Sequence, residues 1–388
     1  MTSNPLINQL DDLLQKDPDV VIQQQNTKFN GVIDGIGESY VLFGAGRLGL
    51  TALEGLRKVG INPLAFTDNN PTLWGKSVKD IQVIPPQEAL RIYGKKAVFV
   101  ITIYTSTPIW DQLNSHDIKI CSFAELAWKY PKALLPHGDL ELPHKIFNQA
   151  SEVKAAYQLW ADDTSRQEYL SQLKWHTSLD RAVLPPHLLQ SDIYFPEDIF
   201  TPLSSEVFVD CGAYDGDSIR EFIKRQNSSF SRIIAIEPDP VNCQSLNNQN
   251  AKLDKDVRNK ILLMQYAVGS QKGIVEFNAT GTAGSSVGQG SYSVDCSTLD
   301  EMLFNYAPTF IKMDIEGAEI DAIQGAKNLI GKISPIMAIC MYHKQEHLWK
   351  IPLLLRSLSD QYQFFFRRYS DECWELVCYA VPKNRLKS

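Results

Sequence analysis

The segment Val207-Phe208-Val209-Asp210-Cys211-Gly212-Ala213-Tyr214-Asp215-Gly216-Asp217-Ser218 constrains the fold more than any other stretch of the chain. Its apolar start predicts a buried strand that delivers Asp210 to its C-terminal tip. Gly212 and Gly216 permit a tight turn, and helical patterning follows, with Asp217 or Ser218 suited to cap the helix. Strand, glycine turn and helix in that order open a parallel α/β sheet, whose ligands sit beyond the strand tips. The rhythm continues downstream. Predicted strands at 233–236, 261–266, 275–277, 310–313 and 336–341 are interleaved with helices at 241–250, 320–330 and 348–358. Segments 363–367 and 375–381 are separated only by a loop, which predicts a terminal antiparallel pair.

The chemistry of the glycine turn narrows the ligand. A dinucleotide site offers a bare helix N-terminus to a pyrophosphate anion. Here Asp210, Asp215 and Asp217 place negative charge in the loop, which suits a ligand carrying a sulfonium and an ammonium, as S-adenosylmethionine does. The next strand ends in Ile236-Glu237-Pro238-Asp239, and the Glu237 carboxylate at that tip can accept both ribose hydroxyls. A cofactor site is therefore expected from Asp210, Gly212, Ala213, Tyr214, Gly216, Glu237 and Pro238.

A second constellation is Phe310-Ile311-Lys312-Met313-Asp314-Ile315-Glu316-Gly317-Ala318-Glu319. If the strand persists to Glu316, then Lys312, Asp314 and Glu316 share one face. Three charges at a central strand tip are expensive unless they are paired or functional. Lys312, Asp314 and Glu316 are accordingly candidate catalytic residues. His343, at the tip of the 336–341 strand, is a candidate general base, because an unperturbed imidazole titrates near neutrality. Asp314 and Glu316 could instead hold a divalent cation such as magnesium that orients a diol.

These strings resemble the FkbM family of methyltransferases. The likeness runs from Phe208 to about Ala380, through Asp-Cys-Gly-Ala-Tyr-Asp-Gly, Ile-Glu-Pro, Tyr-Ala-Val-Gly and Ile-Lys-Met-Asp-Ile-Glu-Gly-Ala-Glu. It implies a seven-stranded class I methyltransferase sheet, S-adenosylmethionine as cofactor with Ala267 among its neighbours, and methylation of an oxygen on a sugar or related metabolite.

The N-terminal half carries a weaker signal. Tyr40–Phe43 reads as a buried strand, and Gly44-Ala45-Gly46-Arg47-Leu48-Gly49 matches the dinucleotide fingerprint. Asp68 follows at the tip of the next predicted strand. Gly44, Gly46, Gly49 and Asp68 thus form a candidate second nucleotide site. Phe66-Thr67-Asp68-Asn69-Asn70, Gly75 and Ile84-Pro85 resemble nucleotide-sugar-binding half-domains that precede sugar-modifying enzymes.

The expected organisation is α/β with two Rossmann-like doubly wound domains: a nucleotide-binding type at 1–135, a proline-punctuated helical connector at 136–200, and a methyltransferase domain at 201–388. A net charge of −7 argues against a general nucleic-acid binder. No secretory signal or apolar run of membrane-spanning length is apparent, so neither a membrane nor a nucleic-acid partner is expected. Seven scattered cysteines without a Cys-x-x-Cys pair suit reduced thiols in the cytoplasm. The expected partner is a small-molecule or glycan acceptor, and a homo-oligomer is compatible with the sequence. The competing functions are a non-catalytic nucleotide or nucleotide-sugar binder, and an NAD-dependent oxidoreductase built on the N-terminal glycine loop.

Overall fold

The structure, a computed structural model, describes residues 5–278, 286–287 and 292–387. It divides into two compact units. One comprises Met1–Ala150, Leu170–His187 and Ser370–Trp374, and the other Ser151–Tyr169, Leu188–Tyr369 and Glu375–Ser388. The helical character expected of 136–200 is present in His144–Asn148, Ala150–Leu159 and Asp163–Ser178. These helices form no body of their own: their residues are shared between the two units.

The first unit holds a six-stranded sheet in the order Ser77–Val78, Ile81–Ile84, Ala65–Thr67, Tyr40–Phe43, Val98–Ile101 and Lys119–Ser122. All neighbours are parallel except the short Ser77–Val78 hairpin. Tyr40–Phe43 is buried along its whole length, as a strand covered on both faces must be. Strand order reverses direction beside it, the usual place for a ligand crevice in such sheets.

The second unit holds a seven-stranded sheet in the order Tyr362–Arg368, Leu376–Pro382, Ile336–Cys340, Phe310–Met313, Val207–Cys211, Arg232–Ile236 and Ile261–Met264. Only Leu376–Pro382 runs against its neighbours. The expected α/β class, with its closing antiparallel pair, is therefore the observed one. Phe195, Phe208, Phe222 and Phe310 pack ring against ring beneath the central strands, with Phe208 and Phe222 stacked at 4.6 Å between centroids. A second, four-stranded sheet joins Ala267–Val268, Tyr292–Ser297, Gly273–Asn278 and Ser286–Val287.

Two local expectations are corrected. The helix predicted at 320–330 is two helices, Glu319–Gln324 and Lys327–Lys332. A side chain at Gly325 would stand 2.1 Å from the Gly269 carbonyl, and the Asp300 carboxylate caps the second helix by accepting from the Asn328 and Leu329 amides. The strand through Lys312 ends at Met313 and does not reach Glu316, because Glu316 and Gly317 take positive φ values of 54° and 97°. Among the described residues, no helix is long and apolar enough to cross a membrane, and all seven cysteines are free and buried.

Candidate active site

At the tip of Val207–Cys211 the backbone turns so closely that only glycine fits. Gly212 has φ of +80°, and a Cβ there would sit 1.9 Å from the Asp314 carbonyl oxygen. The neighbouring strand is thus in contact with the loop. Asp210, expected to touch the cofactor, is fully buried instead. It accepts a hydrogen bond from the Ser218 hydroxyl and pairs with Lys312, whose Nζ lies 2.9 Å away. Strand register explains the pairing, since Lys312 sits directly beside Asp210 across the parallel ladder. Lys312 also donates to the Gly212 carbonyl at 2.7 Å. Burial would lower the lysine, but Asp210 and Asp314 raise it above its ordinary value and keep it charged. Asp210 and Lys312 therefore hold the glycine turn from behind.

Glu237 does a similar task from the next strand. It is 4% exposed, and its carboxylate accepts from the Tyr214 amide at 2.9 Å and the Asp239 amide at 2.9 Å. Burial raises its carboxyl against those hydrogen bonds. Asn242 Nδ2 adds a third at 3.3 Å, and since an ionised carboxylate offers about four lone-pair positions, about one remains free, on Oε2. Ala213 is buried, Gly216 starts the Asp217–Arg225 helix at a φ of 82°, and half-buried Pro238 follows Glu237. Ala267 lies buried in the small sheet.

In front of the turn a pocket opens at the strand tips, the usual place for a ligand in a parallel α/β sheet. Its lining contains Gly212, Tyr214, Asp217, Lys312, Asp314 and Glu316, and also Tyr194, Tyr342 and Glu375. The three charges at 312, 314 and 316 do converge, by way of a turn and not by strand alternation. Asp314 is the centre of a network: Tyr194 donates to Oδ2 at 3.0 Å and Tyr342 to Oδ1 at 3.1 Å. Glu375 is pushed up to about 7 by burial and then by the Asp314 charge.

His343 is at the expected strand tip, but its environment changes its chemistry. Nδ1 lies 2.8 Å from Glu319 Oε1, and Nε2 lies 3.3 Å from Asp314 Oδ1. Burial alone would lower the imidazole, yet Glu319 and the carboxylates beyond it raise it to about 10. An imidazolium at neutral pH cannot accept a proton, which argues against the base role read from its unperturbed value. Glu319, fully buried, is lowered to about 2 by His343, burial opposing, and also accepts from the Ile315 amide at 3.0 Å. This pair anchors the turn that carries Asp314 and Glu316.

The pair also sets a pH dependence. His343 is raised from 6.5 to about 10, so its stabilisation is complete below about 6.5 and is lost as pH climbs through about 10. Glu319 is lowered from 4.5 to about 2, so its share is present above about 4.5 and lost as pH falls through about 2. Urea unfolding of wild type and Glu319→Gln between pH 7 and pH 10 should show the wild type losing its advantage as pH rises. A gap between the two proteins that does not shrink would contradict the charged-histidine assignment.

Sequence reasoning alone does not single out Tyr194, Tyr342, Glu375 or Glu319 as site residues. Tyr194 lies in the proline-punctuated connector, and no local spacing ties it to Asp314. Glu319 carries a signal, as the last residue of the Ile-Lys-Met-Asp-Ile-Glu-Gly-Ala-Glu string.

The first unit repeats the carboxylate arrangement on a smaller scale. Asp68 accepts from the Ala45 amide at 2.9 Å and from the Asn70 amide at 2.8 Å. Gly49 lies under the Gly44 carbonyl, 2.0 Å from where its Cβ would be, and Gly46 caps the Arg47–Lys58 helix with no side chain of its own. The four candidate residues are thus together at the strand tips.

Residues 210–369 match the family model of the methyltransferase FkbM domain. No curated protein sequence matches the chain. The crystal structure of methyltransferase FkbM from Methylobacillus flagellatus KT superposes with a TM-score of 0.79 at 22% identity, covering 96% of this chain and 99% of that one. At that identity the likeness speaks for the fold. The methyltransferase domain of bacterial CtHen1 superposes with a TM-score of 0.30 at 10% identity, covering 46% of this chain and 91% of that one, too low to support an argument.

Proposed function

From a chain that carries an FkbM methyltransferase domain, we propose an S-adenosylmethionine-dependent enzyme that methylates a hydroxyl oxygen of a sugar or related metabolite. The observation that carries this reading is the convergence of Asp217, Asp314, Glu316 and Glu375 on one pocket in front of Gly212. Among the described residues, the one lysine of the lining, Lys312, is already paired with Asp210, so the acids repel a phosphorylated cofactor and suit a cationic one. The donor set fits S-adenosylmethionine: Glu237, through its remaining acceptor position, for a ribose hydroxyl, and the acids beside the glycine turn for the ammonium and sulfonium. When bound, the cofactor supplies an electrophilic methyl group on a neutral leaving group.

The chain's residues then have two tasks, alignment and proton removal. Tyr194 and Tyr342 fix Asp314, and Asp314 orients the acceptor hydroxyl. Glu375, raised towards neutrality, accepts the hydroxyl proton and passes it to solvent. Both Asp314 oxygens already accept tyrosine hydroxyls, and the reading uses no magnesium there.

Incubation with methyl-labelled cofactor and a panel of sugars and nucleotide sugars tests the proposal. A product labelled on oxygen is expected. Transfer only to nitrogen or carbon across a panel that includes such acceptors would count against the oxygen assignment. Glu237→Ala should weaken cofactor binding more than about ten-fold, since a hydrogen bond to a charged group contributes about 1.5–3 kcal/mol. Unchanged affinity by calorimetry would remove Glu237 from the cofactor site.

A further inference from the structure

Deep in the first unit, Asp139, His176 and Cys373 come together with none more than 1% exposed. Their donor atoms, a carboxylate oxygen, an imidazole nitrogen and a sulfur, all lie within 4.8 Å of one another. They belong to different parts of the chain. Asp139 is in the turn after Gly138, His176 is on the Asp163–Ser178 helix, and Cys373 is in the Ser370–Trp374 segment. Cys373 otherwise packs in an apolar core with Trp128, Leu140 and Trp175. Polar groups are costly in such surroundings unless something neutralises them.

The side chains converge on one buried point. His176 Nδ1 lies 2.9 Å from the Gln172 carbonyl oxygen, which can only accept, so Nδ1 donates there and Nε2 is the nitrogen turned to Asp139 Oδ2, 3.1 Å away. The Cys373 thiol is hydrogen-bonded to the same carboxylate. Three metal-ligand side chains from three segments thus meet in an apolar core, where one cation can replace the protons that otherwise link them. An imidazole whose outer N–H is held by a backbone carbonyl is also the usual orientation of a metal-ligating histidine.

We propose that Asp139, His176 and Cys373 bind a divalent transition-metal ion of the zinc type within the first unit. Carboxylate, thiolate and neutral imidazole sum to two negative charges, which one divalent cation balances. Nitrogen, oxygen and sulfur are the donors zinc prefers, and a tetrahedral zinc site has donor separations of roughly 3.3–3.6 Å. The nitrogen–oxygen separation of 3.1 Å is already near that range. Three protein donors leave the fourth position to a water-sized ligand. The site is separate from the strand-tip pocket of the second unit and is independent of the methyl-transfer reading.

The test is elemental analysis of the full chain, produced in zinc-supplemented medium and purified without chelators. About one zinc per chain is expected, falling to less than about a tenth of that in Cys373→Ser and remaining in Cys296→Ser, a buried cysteine elsewhere. Protein produced with cobalt in place of zinc should show a thiolate-to-cobalt charge-transfer band in the near ultraviolet. That band needs only the wild type, so the proposal stays testable if Cys373→Ser fails to fold. Wild-type protein with less than about a tenth of an equivalent of metal and no cobalt–thiolate band would overturn it. Asp139, His176 and Cys373 would then be linked by hydrogen bonds alone.

Discussion

Glu375→Gln is expected to lower methyl-transfer turnover by about 10²–10⁴, the usual cost of a lost general base. Glutamine keeps the shape of the side chain, so the pocket should retain its lining and cofactor affinity should stay within a few-fold. In the wild type, turnover should rise with pH through about 7 as Glu375 ionises. That rise should be missing from Glu375→Gln. Asp314→Asn gives the complementary result. Removing the nearby negative charge lowers the Glu375 carboxyl, so the midpoint of the rise should move to more acid pH. Turnover should also fall, because a neutral amide at that position orients the acceptor without a charge. A Glu375→Gln enzyme with wild-type turnover and an unaltered pH profile would remove Glu375 from the reaction.

The second large effect is on stability. Lys312→Met should destabilise the second unit by about 3–5 kcal/mol, because it leaves the Asp210 carboxylate buried without its cation. Asp210 can relieve the strain by taking up a proton, and burial already pushes its carboxyl upward. A carboxyl raised in the folded state destabilises as pH rises above its unfolded value, so the loss should be larger near pH 8 than near pH 5. The double variant Asp210→Asn with Lys312→Met should recover most of the loss, since asparagine still accepts from Ser218. Denaturant unfolding followed by fluorescence reads all three proteins. If the single and double variants unfold alike, the ion pair is not what holds the glycine turn.

The seven-stranded sheet is legible in the sequence because each central strand is a short apolar run closed by a turn signal. The glycine turn is legible because Gly212 and Gly216 stand between an apolar run and a helical pattern, and the structure shows that a side chain at 212 would collide with the Asp314 carbonyl. What Asp210 does is not. A sequence places it at a strand tip, but only strand register shows Lys312 beside it, which turns an expected ligand contact into a structural one. The position of His343 can be read from its strand, but its chemistry cannot, because its charge depends on Glu319, 24 residues away in sequence. Tyr194 lies 120 residues before Asp314, a separation at which periodicity carries no information. Part of the small sheet escapes sequence reading because Gly273–Asn278 buries only Phe277 fully, which leaves little apolar alternation to read. The connector reads as one body because proline punctuation suggests a linker, whereas its helices are shared between both units.

Calorimetric titration of the full chain with S-adenosylmethionine, and separately with its demethylated product, decides whether the crevice in front of Gly212 is a cofactor site. Saturable binding of both ligands at one site, weakened by Glu237→Ala, is expected. Absence of binding heat for either ligand at millimolar concentration, with the protein shown to be folded, would contradict it.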